Sequence, residues 1–297
     1  MYHFPKKFFR ENFWESNTDN LYYGHYNILK RYSKTVFPYK INGEVQHGWS
    51  PDHGIAANPF LHNESDKSKR YYLINKNNKK KSLGYGYNNV IIMGAPFIYL
   101  PNILKKNNSG AEKNIIFFPL HTHEYDCAGD PYNNYFYYLK ELRKITKFFR
   151  FITICLGWRE YNNKKITDLI KDHGMKIVTM GPRDNNPNFL YKFFEIVNNH
   201  EYVSSESFSS AIFYSLLLRK KVFIYGKSMS WGEKETWEGK LDLNYNKVYS
   251  NKYPQLMWEN FNHKPHFEIG QKELGFDHKL TPKKLRETFG WSIKNIF

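Results

Sequence analysis

An α/β protein made of two parallel-sheet domains facing a cleft is what this sequence predicts, and three observations carry the expectation. Residues 176–226 alternate strand, helix, short strand, Ser-rich turn, helix and strand. Such βαβ alternation builds a parallel sheet. A shorter series of the same kind runs from Ile41 to Phe97. Between the two, residues 105–113, KKNNSGAEK, have the composition of a linker. The 297 residues suffice for two domains of about 100–200 residues each. The expected division is 1–108 and 109–297, with the last helix packing back on the first domain.

The elements follow in order. Residues 17–33 read as a helix capped near Ser16 or Thr18. Ile41 to Gln46 is a strand running into His47-Gly48-Trp49-Ser50-Pro51, and residues 52–70 are loop-like. Tyr71 to Ile74 is a strand, 75–84 a Lys-rich helix, and Asn89 to Met93 a strand ending in Gly94-Ala95-Pro96-Phe97, a tight turn. In the second series Asn114 to Leu120 is a strand, 132–149 a helix with an aromatic face, Phe151 to Leu156 a strand, 163–173 a helix and Lys176 to Met180 a strand. Residues 227–265 show no clean period and suggest a loop folding over the site. Residues 282–289 read as a helix with Thr281 as cap and Pro282 at its first position.

Composition excludes several classes. A hydrophobic content of 41% excludes a disordered chain. Cys127 and Cys155 are the two cysteines, too few for a disulfide framework, and they fit a reducing, cytoplasmic setting. The first 16 residues lack an apolar h-region, so no signal peptide is expected. The apolar run Val90 to Leu104 contains Pro96 and Pro101 and is shorter than the ~20 residues of a membrane span. The net charge of +16 suggests phosphate-bearing partners. No zinc-finger spacing, RNP-like motif or long basic arm points to nucleic acid.

The strand-end signatures VQHGWSP, NVIIMGAPFIYL and FFPLHTHEYD, with the run EYVSSESFSSAIFYSLLLRKKVFIYG, resemble the GT-B glycosyltransferases of bacterial capsule and O-antigen synthesis. The resemblance covers roughly residues 41–226 and implies two Rossmann-like domains, the second binding a nucleotide-sugar. Sialyl- and Kdo-transferase-like sequences often carry His-Pro after a donor-domain strand; here the comparable place reads Gly181-Pro182-Arg183-Asp184.

Ser204, Ser205, Ser209 and Ser210 are the donor-phosphate candidates, because the turn opens a helix whose free N–H groups and dipole favour an anion. The same serines also read as an ordinary cap. Arg183, with Asn188 in the same turn, is placed to neutralise charge on a leaving phosphate without a metal; the turn also reads as a surface turn made by Pro182, Asp184 and Pro187. Glycosyl transfer with inversion needs a base for the acceptor hydroxyl, and His47, with Asp52 and His53 as neighbours, supplies the candidates. His121, His123 and Glu124 form a polar cluster read as ligand-binding rather than metal-binding. Trp49, Trp158 and Trp231 are candidates for stacking on sugar rings, with core packing as the other reading.

The expected function is metal-independent sugar transfer from a nucleotide-sugar donor, as substrate and with no cofactor, to a surface-polysaccharide or lipid-linked glycan. Peripheral contact with an anionic inner membrane is expected from the charge, and no nucleic-acid partner. The alternatives are a nucleotide-sugar epimerase or hydrolase of the same fold, and a non-catalytic basic protein that binds nucleic acid or polysaccharide.

Overall fold

The computed structural model describes residues 15–35, 39–55, 66–101, 113–119, 131–226 and 245–291. Two parallel sheets are present, of three and five strands. The chain divides into two compact units: Met1–Ile103, Pro182–Lys192 and Gln271–Phe297 form the first, and Leu104–Gly181 with Phe193–Gly270 form the second. Segments 182–192 and 271–297 lie in the first unit, whereas the sequence reading divided the chain at 108/109 with the last helix packing back on the first domain.

In the first unit, helix α1 (Thr18–Leu21) is followed by a tight turn, Tyr22–Gly24, and helix α2 (His25–Ser33). The single helix expected over 17–33 is thus broken. Tyr23 and Gly24 both adopt left-handed backbone, φ 54° and 77°. A Cβ on Gly24 would sit 2.8 Å from the carbonyl oxygens of Asn186 and Pro187, so glycine lets the kink approach that loop. The N-cap is Asn17, between the two residues expected, and its side chain accepts from the Asp19 N–H.

Strands β1 (Glu44–Val45), β2 (Tyr71–Leu73) and β3 (Val90–Ile92) pair in parallel in the order β1-β2-β3, with helix α3 (Lys76–Gly84) crossing between the last two. The fully buried Asn20 fastens α1 to this sheet. Its amide donates to the Gly43 carbonyl at 3.0 Å and its oxygen accepts from the Val45 N–H at 2.9 Å. Helix α11 (Pro282–Phe289), capped by Thr281 with Pro282 at its first position, closes the unit. Tyr72 Oη donates to the Thr288 carbonyl at 3.0 Å, and the Tyr72 ring packs edge-on against Phe289.

The second unit holds β4 (Asn114–Phe117), β5 (Phe151–Leu156), β6 (Lys176–Thr179), β7 (Tyr202–Ser205) and β8 (Lys221–Ile224), all parallel, in the order β6-β5-β4-β7-β8. Helix α4 (Pro131–Thr146) joins β4 to β5, and α5 (Trp158–Tyr161) and α6 (Lys164–Asp172) join β5 to β6. Helix α7 (Phe189–Asn198), which begins in the first unit, leads to β7, and α8 (Ser210–Leu217) joins β7 to β8. The order reverses at β4, flanked by β5 and β7, and such a switch point opens a crevice at the carboxyl ends of the strands. Ile115, Phe117, Ile154 and Phe223 are fully buried in the strands, with Tyr135, Leu139 and Leu142 of α4 against them. Each such side chain contributes about 1.5–3 kcal/mol.

The stretch expected to be a loop, 227–265, contains helix α9 (Tyr245–Lys252) and two tight turns at Pro254–Leu256 and Trp258–Asn260; α10 (Phe267–Glu273) follows. Trp258 packs 4.8 Å from Phe223, and Met257 bridges to Ile224. These contacts anchor the segment to the end of β8 despite its lack of sequence period. Among the described residues no helix is long and apolar enough to cross a membrane.

Candidate functional site

Within the first unit, the kink between α1 and α2 and the loop after β1 bring several polar side chains together. His47 Nε2 is hydrogen-bonded to Asp19 Oδ1, a short contact between side chains 33% and 24% exposed. The imidazole stacks on Tyr22 at 4.3 Å and 16°. The same tyrosine ring lies 5.6 Å from the Arg183 guanidinium carbon. Arg183 is fixed through its backbone as well, because its carbonyl accepts from the Tyr23 N–H at 2.9 Å. Tyr23 in turn stacks on Phe189 at 4.7 Å.

With Asp19 accepting from Nε2–H, neutral His47 has an unprotonated Nδ1. That is the arrangement of a general base: a carboxylate fixes tautomer and ring orientation while the other nitrogen takes a proton. Nδ1 makes no hydrogen bond among the described residues.

His25, the first residue of α2, is fully buried, and neither of its ring nitrogens has a hydrogen-bond partner among the described residues. Burial, and secondarily the neighbouring His47, hold it well below the ordinary histidine range. It is therefore a neutral imidazole at pH 7.

The two neighbours proposed as alternative bases are engaged elsewhere in the unit. Asp52 Oδ1 is 3.7 Å from Lys81 Nζ, and the Asp52 carbonyl accepts from Asn78 on α3. His53 Nδ1 accepts from the Ile55 N–H at 3.0 Å, and the ring packs edge-on to Tyr85. Burial pushes His53 below its ordinary value, assisted by Lys81 and opposed by Asp52. A ring nitrogen already occupied by backbone is poorly placed to take a substrate proton. Trp49 is buried, its indole donating to Glu273 at 2.9 Å, so it packs in the unit rather than on a sugar. Asn188 leads into α7, its carbonyl accepting from the Lys192 N–H and its N–H donating to Asn186 Oδ1. Arg183 and Asn188 both belong to the first unit, and the serines belong to the second.

In the second unit the expected serine turn begins later than the sequence implied. Ser204 and Ser205 are the last residues of β7, paired with Phe117 and Ile224, and both are buried. Ser205 Oγ donates to the Phe118 carbonyl at 2.7 Å, so this hydroxyl stitches the sheet and is not presented to a ligand. Ser209 and Ser210 are half-exposed at the start of α8. Ser209 is the N-cap and makes no side-chain cap bond. The turn before them is latched by α9, where Asn246 Oδ1 accepts from Ser207 Oγ at 2.8 Å and from the Phe208 N–H at 3.1 Å.

Two buried carboxylates at the carboxyl edge of this sheet were not singled out from sequence, Glu160 and Glu206. Burial first, then both carboxylates, hold the Tyr135 hydroxyl well above the ordinary range, and burial and Glu206 do the same to Tyr138. Tyr135 Oη, Tyr138 Oη and Glu160 Oε1 have no hydrogen-bond partner among the described residues. Such unpaired groups suit a hydroxyl-bearing ligand. Glu206 lies inside the serine run and was legible there; nothing local marks Glu160.

His121, His123 and Glu124 lie outside the described residues, as does Trp231. Among the described residues no group of three or more His, Cys, Asp or Glu side chains is placed to hold a metal ion.

No protein-family model matches the chain, and no curated protein does. Several solved structures are similar to parts of it, three of them as follows. A protein described as a candidate UDP-N-acetylglucosamine 2-epimerase from Listeria monocytogenes matches at 11% identity and TM-score 0.35, over 68% of this chain and 56% of that one. The S. aureus MnaA–UDP co-structure matches at 12% identity and TM-score 0.36, over 71% and 63%. A single-site variant of the wall teichoic acid polymerase TagF matches at 12% identity and TM-score 0.35, over 75% and 54%. The chain thus spans little more than half the length of each.

Proposed function

We propose that the chain is a glycosyltransferase of the GT-B kind that moves a sugar from a nucleotide-sugar to a glycan or lipid-linked hydroxyl. The observation that carries the reading is the His47–Asp19 pair, with Nδ1 of His47 left to accept a proton. In this reading Nδ1 takes the acceptor hydroxyl proton as the oxygen attacks the anomeric carbon, and the nucleotide leaves with the bonding electron pair. A positioned base of this kind contributes typically 10²–10⁴-fold, on the order of the loss expected in His47→Ala. Within the second unit, the α8 N-terminus with Ser209 and Ser210 is the proposed donor-phosphate site. The Arg183 guanidinium supplies a fixed positive charge beside the base, in place of a metal.

A nucleotide-sugar epimerase or hydrolase also needs a base, and the product separates the three. The protein is incubated with UDP-, GDP-, dTDP-, CMP- and ADP-sugars, with and without glycan acceptors, and nucleotide release is followed with mass spectrometry of the sugar. Release that depends on acceptor and falls in His47→Ala supports the transferase. Release without acceptor identifies a hydrolase, and an epimerised donor an epimerase. No turnover and no nucleotide binding overturns the reading.

A further inference from the structure

Helix α4 has two unlike faces. Its inner face, with Tyr135, Tyr138, Leu139, Leu142 and Ile145, is buried in the second unit's core. Its outer face carries large rings in water: Tyr137 is 66% exposed, Phe136 42% and Tyr132 38%. One turn further on the same face turns basic, with Lys140, Arg143, Lys144 and Lys147 exposed. Glu141, a carboxylate beside them, is paired with Lys144 at 2.6 Å and accepts from Tyr225 Oη at 3.4 Å. Phe148, 54% exposed, follows the helix, with Lys147 Nζ 5.3 Å from its ring and the Trp258 ring 5.7 Å away. At the adjoining edge of the sheet, Arg150 and Lys176 lie 5.1 and 5.0 Å from the exposed ring of Phe151.

Exposed aromatic rings normally find cover, and a run of them along one helix face marks an interaction surface. Here rings at one end of the face give way to cations at the other over about 12 Å of helix, taking 1.5 Å per residue from Phe136 to Lys144. This is the composition of a helix lying on a bilayer: rings at the headgroup boundary, long cationic side chains reaching phosphates.

We propose that the outer face of α4 docks the protein on an anionic membrane surface. Phe136 and Tyr137 enter the headgroup layer, and Lys140, Arg143, Lys144 and Lys147 contact anionic lipid. Neither the transferase reading nor the His47 site is required for this.

The full-length protein is sedimented with vesicles of phosphatidylglycerol and phosphatidylcholine in equal parts, and with phosphatidylcholine alone, at low and high salt. Binding to the anionic vesicles that weakens with salt is expected. Phe136→Ser with Tyr137→Ser loses about tenfold in affinity, as removal of two interfacial rings requires. Lys140→Glu with Lys144→Glu loses tenfold or more, at about fivefold for each charge near the surface. Lys76→Glu with Lys80→Glu, on the exposed side of α3, makes the same change of net charge and retains binding. Because every altered side chain is exposed, unchanged melting temperatures certify the fold. No binding to anionic vesicles overturns the proposal. So does equal loss in the α3 control, which would mean adsorption by net charge, or retention of affinity in the ring variant. Oligonucleotide that displaces the protein from vesicles and binds the ring variant undiminished would assign the face to nucleic acid instead.

Discussion

His25 gives a prediction whose magnitude follows from its surroundings. The imidazole is fully buried with both nitrogens unpaired among the described residues, and it stays neutral far below the ordinary histidine pKa. Leucine is close to it in volume and lacks the polar atoms. His25→Leu removes an unsatisfied buried donor, which costs about 1–3 kcal/mol, so the variant is more stable than the parent by up to that amount at pH 7.5. The pH dependence provides a sharper test. The unfolded chain takes up a proton on His25 near pH 6.5 and the folded chain does not, so stability present above that pH is lost as pH falls. Between pH 7.5 and 5.5 that loss is about 1.4 kcal/mol for one histidine that remains neutral when folded. His53 and His200 are also held low, chiefly by burial, but they are common to both proteins and cancel. Urea unfolding of parent and variant at the two pH values, with hydrogen exchange of α2 to locate the change, measures the difference. Equal losses in the two proteins would mean that His25 is protonated, or partnered, in the folded state, and the reasoning would fail.

Four other outcomes are expected. Asp19→Asn lowers turnover roughly a hundredfold with little change in KM, and nitrogen NMR of His47 shows the loss of a single tautomer; an unchanged tautomer would remove Asp19 from any positioning role. Ser209→Ala with Ser210→Ala abolishes the rise in melting temperature produced by the nucleotide that binds, whereas Ser205→Ala, at a hydroxyl committed to Phe118, lowers stability and leaves that rise intact. Asn20→Ala leaves the buried Val45 N–H and the half-buried Gly43 carbonyl without their partner, costing about 1–3 kcal/mol for the Val45 N–H in denaturant melts. Burial pushes the Cys155 thiol up to about 12, so at pH 8 it reacts with a thiol reagent only after denaturant is added.

Where structure follows from short-range pattern, the sequence was legible. The alternation over 176–226 became β6, α7, β7, α8 and β8, and Thr281-Pro282 opens α11 because both residues act within one turn. The kink at Tyr23 and Gly24 was hidden, since the helix-forming residues on either side mask a turn that depends on contact with Asn186 and Pro187. Helix α9 was missed because its anchor, Asn246, is held by a turn 38 residues away. The candidate site divides along the same line. His47 stood out at a strand end, but its partner Asp19 lies 28 residues earlier in a helix, and nothing local joins them. The serine run was visible, yet the end of β7 decided which hydroxyls it exposes, and that limit is set by pairing with β4 and β8.

The first unit is made of three separated lengths of chain, and the third, Gln271–Phe297, follows every strand of the second unit in the sequence. Tyr72 is fastened to Thr288 across 216 residues, and Tyr32 to Leu280 across 248. The strands of the second unit are complete once Ile224 has emerged, so that unit can begin to fold during synthesis. The packing of β2 and α2, by contrast, waits for α11 and the residues before it, and loop closure over such distances is slow. A nascent chain halted before Thr281 would therefore carry a formed serine turn beside an unfinished first unit, and would depend on chaperones to keep β2 and β3 from pairing elsewhere.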